Sequence, residues 1–207
     1  MREILLKYFP KITVKQIDKL LKLNEIFPEW NSKINCISRK DIQNLFINHI
    51  LHSLSVAKIF NFPAGTRIVD VGTGGGFPAI PLSILFPDVI FYPVDSISKK
   101  ITVVTEIANL LELENVFPIN NRCENLSFKC NFVVSRAVTA FPAFYKMTKN
   151  LIDKESIEGF YPNGIIYLKG GDFDEEIKDF RDIKIYQLKE IFEYEFFETK
   201  KIIYLST

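Results

Sequence analysis

The sequence predicts an α/β fold: a mostly parallel, seven-stranded sheet with helices on both faces, preceded by a helical extension. Three observations carry this. From about residue 67 onward, short apolar runs alternate with stretches of helical periodicity, the pattern of a sheet wound through crossover helices. One run, Ile68-Val69-Asp70-Val71, leads directly into Gly72-Thr73-Gly74-Gly75-Gly76. The next, residues 89–94, is followed by Asp95. Doubly wound sheets bind ligands beyond the carboxyl ends of their strands, so turn and acid belong at one end of the molecule.

The elements follow in order. Thr13-Val14-Lys15-Gln16 is a capping box that starts a helix. Ile17, Leu20, Leu21, Phe27 and Trp30 give it one apolar face. A loop rich in Asn and Ser is expected from Asn31 to Arg39, and Asp41 is placed to cap a second helix. That helix carries two apolar stripes, one through Leu45, His49 and Val56, the other through Ile47, Ile50 and Leu54. A helix apolar on two sides is sandwiched between other elements. Residues 1–62 are thus expected to form an N-terminal helical extension packed on the core, and residues 63–207 the α/β domain. Within the latter, strands are expected at about 67–71, 89–94, 116–120, 132–135 and 164–168, then at 184–192 and 199–205. Helices are expected at about 77–86, 98–112, 140–150 and 173–181.

Composition bounds the rest. A chain of 207 residues suits one α/β domain with a modest extension. No stretch approaches the ~18 uninterrupted apolar residues of a membrane helix, and Met1-Arg2-Glu3-Ile4 opens no signal-peptide pattern. Cys36, Cys123 and Cys130 have neither metal spacing nor an even count, so a reducing cytoplasm is expected. With only His49 and His52 beside them, no metal site is expected. Residues 1–60 hold ten Lys/Arg against five Asp/Glu, and residues 170–200 hold the reverse, five against ten. A basic end can face nucleic acid, or simply be a solvated amphipathic helix. Nothing marks a subunit interface, and a monomer is expected.

The glycine turn limits the ligand. A phosphate-binding P-loop needs a Lys after its glycines, and none follows here. A dinucleotide turn needs a third glycine for close helix packing, and Phe77 occupies that place. Asp70, two residues before the first glycine, is also unusual for a dinucleotide. S-adenosylmethionine has no phosphate; it carries a sulfonium, an ammonium and a carboxylate, beside which an acid is useful. The turn therefore reads as an S-adenosylmethionine site in a class I, Rossmann-like methyltransferase. Gly72 and Gly74 would bring backbone against the methionine end and ribose, and Asp95 would bind both ribose hydroxyls. Asp70 would orient the turn or meet the ammonium.

Further motifs point the same way. They are Trp30-Asn31-x-Lys33-x-Asn35, His49-Ile50-Leu51-x-Ser53-Leu54, Gly76-Phe77-Pro78-x-Ile80-Pro81, Arg122-Cys123-Glu124, Ser135-Arg136-Ala137 and Leu168-Lys169-Gly170. In this order, and over nearly the whole chain, they resemble the bacterial 16S ribosomal RNA guanine-N7 methyltransferases, also known as glucose-inhibited division protein B. The resemblance implies methyl transfer from S-adenosylmethionine to N7 of a guanine in 16S ribosomal RNA or the small subunit. It places Cys123 and Glu124 at the adenine ring and Phe77 beside the cofactor, or in the core at the helix start. It marks Arg136 as a cofactor or active-site residue, and its place after the fourth strand puts it at the ligand end. Lys33, Arg39 and Lys40 would face RNA, Lys169 would hold a phosphate or be an unpaired surface lysine, and His49 would be either buried or at the substrate face. The chain departs from the family pattern at His52, at Lys99-Lys100 and at Cys36-Ile37. A methyltransferase for a small molecule or protein would share the cofactor motifs but need no RNA surface.

Overall fold

A computed structural model describes every residue of the chain except Arg39 and Ala137. Seven strands form one sheet in the order β3-β2-β1-β4-β5-β7-β6. They are β1 (Arg67–Val71), β2 (Ile90–Asp95), β3 (Ile119–Asn120), β4 (Phe132–Arg136), β5 (Gly164–Gly170), β6 (Ile183–Gln187) and β7 (Lys200–Ser206). All pairings from β3 to β5 are parallel; β7 runs antiparallel between β5 and β6. Strand order reverses at β1, which pairs β2 on one side and β4 on the other. The crevice at that reversal is where such sheets bind ligands.

Successive strand residues supply opposite faces, as the two-residue period requires. Ile68, Phe132, Val134, Ile166 and Tyr204 join one core cluster, whereas Val69, Val133, Ile165 and Ile203 join the other. The first cluster lies under α1 (Arg2–Tyr8), α2 (Val14–Ile34), the helical stretch 41–58, α4 (Ala79–Leu85) and α5 (Ser98–Leu110). The second lies under α6 (Phe141–Thr148) and α7 (Asp174–Ile177). The helical extension shares its core with the sheet, and residues 49–56 are all buried, as two apolar stripes require. Abundant phenylalanine is concentrated here: Phe60 stacks on Phe62 at 5.8 Å and meets the edge of Tyr161 at 4.8 Å. Each such ring contributes roughly 1.5–3 kcal/mol by leaving water.

Most elements lie where the sequence puts them, and the exceptions have physical reasons. The Thr13–Gln16 capping box is formed as expected. The helix it starts continues through the expected loop to Ile34, and stops at Asn35, which takes a left-handed conformation with φ 49°. Asn31 is inside this helix, where its amide both donates to the Ile37 carbonyl (2.9 Å) and accepts from the Ile37 amide (2.8 Å). One side chain thus replaces the partners of a backbone that folds back on the helix. Asp41 does not cap the following helical stretch but is its first residue: its amide donates to the Ser38 hydroxyl at 3.2 Å, and its carboxylate accepts from that hydroxyl at 2.9 Å. That stretch is not a uniform α-helix. It runs from a 3-10 turn (Asp41–Asn44) through a π-helix (Phe46–Leu51) and α3 (His52–Leu54) into a second 3-10 turn (Ser55–Lys58). The late helix is four residues long, and β6 ends at Gln187, where Leu188–Glu190 form a single turn that buries Leu188.

Candidate active site

Beyond the carboxyl ends of β1, β2 and β4 lies a cavity of about 470 Å³, within the usual range for small-ligand sites. Gly72, Gly74, Phe77, Asp95, Cys123, Glu124 and Arg136, all expected at a cofactor site, border it.

The turn after β1 is held by acids on both sides. Asp70 is fully buried; its Oδ2 accepts from the Thr73 hydroxyl at 2.7 Å and the Ala79 amide at 3.0 Å. Helix α4 therefore begins at Ala79, two residues after Phe77, on an amide capped from the strand. Asp70 orients the turn from behind and does not border the cavity. Oδ1 has no hydrogen-bond partner among the described residues, and burial pushes the carboxyl up to about 7. The folded pKa is above the unfolded value of 3.8, so the native chain binds more protons between the two. Asp70 therefore contributes stability at acid pH that is lost as pH rises through about 7. Asp70→Asn keeps an acceptor and stays neutral. Its melting temperature relative to wild type is expected to climb as pH is raised from about 4 to about 8. An offset constant with pH would refute this.

On the other side, Asp95 is buried at the end of β2. Its Oδ2 accepts from the Gly74 amide at 3.1 Å and its Oδ1 from the Ile97 amide at 2.9 Å. The ammonium of Lys100 stands 3.7 Å from Oδ2, and the Asn120 amide donates to the Asp95 carbonyl at 2.9 Å. Gly74 has φ +59°, and a Cβ there would meet no protein atom within 4 Å. A side chain would stand in the cavity itself. Gly75 is needed for a different reason: a Cβ would come within 2.6 Å of the Phe27 ring and 3.2 Å of Cys36. The helical extension thus rests directly on the turn. Gly72 faces the Val138 side chain, which would approach its Cβ to 2.6 Å.

Phe77 borders the cavity and is also part of the core, 3% exposed, with its ring against Phe27 (5.0 Å) and His49 (5.6 Å). The core position at the helix start is thus observed, with the ring also at the cavity wall. Cys123 donates its thiol to the Glu124 carboxylate at 3.2 Å, and burial pushes that thiol up to about 12. It is no nucleophile at neutral pH.

Arg136 ends β4, half-buried at the cavity wall, with its guanidinium 5.7 Å from the Phe77 ring centre. Nη1 donates to the Asn48 carbonyl at 3.1 Å and Nη2 lies 2.5 Å from Nδ1 of His49. Burial lowers its pKa to about 10, so the charge persists at neutral pH. His49 is 8% exposed. Burial, reinforced by the Arg136 charge, pulls it down to about 3. It is therefore a neutral ring behind the wall and not part of an exposed RNA face. His52 is buried beside Phe196 at 5.3 Å, and is also held neutral by burial.

Lys33, Lys40 and Lys169 do not border the cavity. Lys40 is exposed, and Arg39 lies outside the described residues. Lys169 is neither free for a phosphate nor an unpaired surface lysine: its ammonium is held by the Glu176 carboxylate, which also accepts from the Phe141 amide at the start of α6. Lys33 pairs with Glu29 at 2.8 Å. Sequence reasoning did not place Lys100, Cys36 and Ile37 at the cavity, though all three border it. For Lys100 a signal exists: α5 starts three residues after Asp95, so its first turn must face the same end of the sheet. Among the described residues no group of three or more His, Cys, Asp and Glu could hold a metal ion. Among the described residues no helix is long and apolar enough to cross a membrane.

This sheet order, with its glycine turn and a buried acid ending the second strand at the strand reversal, defines a class I S-adenosylmethionine-dependent methyltransferase. A SAM dependent methyltransferase from Aquifex aeolicus has the same fold, with TM-score 0.57 and 18% identity over 84% of this chain and 96% of that one. The model of the family described as "GidB: rRNA small subunit methyltransferase G" matches residues 16–202, and the chain belongs to that family. Proteins named Ribosomal RNA small subunit methyltransferase G share 52% identity with it in both Christiangramia forsetii and Flavobacterium johnsoniae. The match covers 98% and 97% of this chain, and 96% of each relative.

The residues present fit the cofactor. The cavity is large enough, Gly74 leaves the space open, and Asp95 offers a carboxylate at its edge. Asp95 would hold the ribose hydroxyls, the backbone of Gly72 and Gly74 the methionine end, and Cys123 and Glu124 the adenine.

Proposed function

We propose that this chain transfers a methyl group from S-adenosylmethionine to N7 of a guanine in small-subunit ribosomal RNA. The observation that carries the reading is Arg136. It is a charged group at the cavity wall that makes no ion pair with a carboxylate among the described residues. Its free donors suit guanine O6 or a neighbouring phosphate, which leaves the N7 lone pair open to attack. The bound cofactor supplies an electrophilic methyl on a sulfonium. Guanine N7 has a free lone pair and no proton to lose, so attack needs no general base. The site agrees with this chemistry. Asp95 is engaged by two amides, Glu124 by a thiol, and His49 lies behind Arg136. The chain's own contribution is orientation, which can supply roughly 7–11 kcal/mol in favourable cases.

Family membership and the 52% identical relatives named for ribosomal RNA support the substrate. RNA read by sequence is usually unpaired, with accessible bases, so the target guanine would be one that can enter the cavity. Exposed Lys40, its neighbour Arg39, and Arg122 at the cavity would meet the backbone. The free thiols fit a protein that works in a reducing cytoplasm.

The test uses labelled S-adenosylmethionine and small-subunit ribosomal RNA, or whole subunits, lacking the modification. Label recovered as 7-methylguanosine at one position is the expected result. Cofactor binding without transfer to either substrate would move the reading to a small-molecule methyltransferase.

A further inference from the structure

We propose that His49 is a positioning residue for methyl transfer: its ring nitrogen and the adjacent Asn48 carbonyl aim the Arg136 guanidinium at the cavity, so the helical extension sets the reaction face. This rests on the role given to Arg136 above.

Three observations carry it. First, both observed partners of the guanidinium come from two adjacent residues of the extension: Asn48 accepts at 3.1 Å and His49 Nδ1 lies at 2.5 Å. Arg136 is always a donor, so Nδ1 accepts and the ring proton is on Nε2. Second, the acceptor is itself fixed. The ring is buried and held edge-on against Phe77 at 5.6 Å, while Phe77 is wedged against Phe27 of α2 at 5.0 Å. Third, the partners lie in Phe46–Leu51, the π-helical part of the segment. Its i→i+5 bonds change the partners an α-helix would give each carbonyl, and such turns often mark functional places. Arg136 would otherwise be a long side chain at a strand end with many rotamers. Two acceptors in fixed directions suit the planar fork of a guanidinium and not an ammonium.

The ordinary alternative is a histidine that only fills space beside Phe77. His49→Phe keeps a ring there and removes the acceptor; His49→Leu is a second acceptor-free variant; His49→Gln restores an acceptor. Melting temperature, kcat and KM for cofactor and RNA are measured for each, with and without Arg136→Ala. In the wild-type background, either acceptor-free variant that folds should lose about 10- to 100-fold in kcat/KM, the value of one hydrogen bond to a charged group. His49→Gln should recover most of it. In the Arg136→Ala background the same substitutions should cost nothing further. Full activity of both acceptor-free variants beside a crippled Arg136→Ala would overturn the positioning role and leave Arg136 standing. Equal losses in both backgrounds would also overturn it, by showing that His49 acts independently. Full activity of Arg136→Ala would instead remove the reading on which the inference rests.

Discussion

Replacing Arg136 with alanine is expected to slow methyl transfer by about 100- to 1,000-fold, the usual cost of removing a preorganised donor from a water-poor site. The structure explains why the effect should be large. The guanidinium is half-buried, stays charged at neutral pH, and is aimed by fixed partners on the helical extension. Its removal also leaves a carbonyl and a ring nitrogen without their partner, which costs about 1–3 kcal/mol of stability. Single-turnover rates should therefore be taken well below the unfolding temperature. Arg136→Lys should rescue little, because a point charge cannot reach both acceptors. Wild-type turnover in Arg136→Ala would exclude Arg136 from the reaction.

Asp95→Ala should produce a different defect: cofactor affinity falls by about 100-fold or more, while the rate at saturating cofactor changes less. Two hydrogen bonds to a carboxylate are lost, each worth about 1.5–3 kcal/mol. The same oxygens also fix the amides of Gly74 and Ile97, so the glycine turn loosens when they go. Asp95→Asn retains one acceptor and should fall between alanine and wild type. Calorimetric titration with S-adenosylmethionine decides the matter, and an unchanged Kd for Asp95→Ala would show that the ribose is held elsewhere.

The sequence made the sheet and one half of the site readable, for local reasons. The run before Gly72 is apolar on both faces because β1 is covered on both, and Asp95 is the last residue of its strand. The Thr13–Gln16 box signals its own helix. What was not readable depends on distant contacts. The π turn at Phe46–Leu51 carries the same apolar residues as an α-helix would, so periodicity cannot reveal it. His49 and Arg136 are 87 positions apart, and no spacing rule joins them. Lys169 looked free because Glu176 reaches it only after α7 folds back. Helix α1 has seven residues and no side-chain cap; its buried Leu5 and Tyr8 hold it by tertiary contact.

The place of β7 constrains how the chain is made. It comes after β5 and β6 in sequence, yet it lies between them and pairs with both. No partner for β6 exists until β7 has left the ribosome, and until then the outer edge of β5 is an open template for other chains. The half that builds the cofactor cavity, from β1 to Arg136, is synthesised well before that. An interrupted translation product would thus carry a nearly complete cofactor site on a sheet with an unguarded flank. Such a species is prone to aggregate, and is a natural target for chaperones that bind nascent chains.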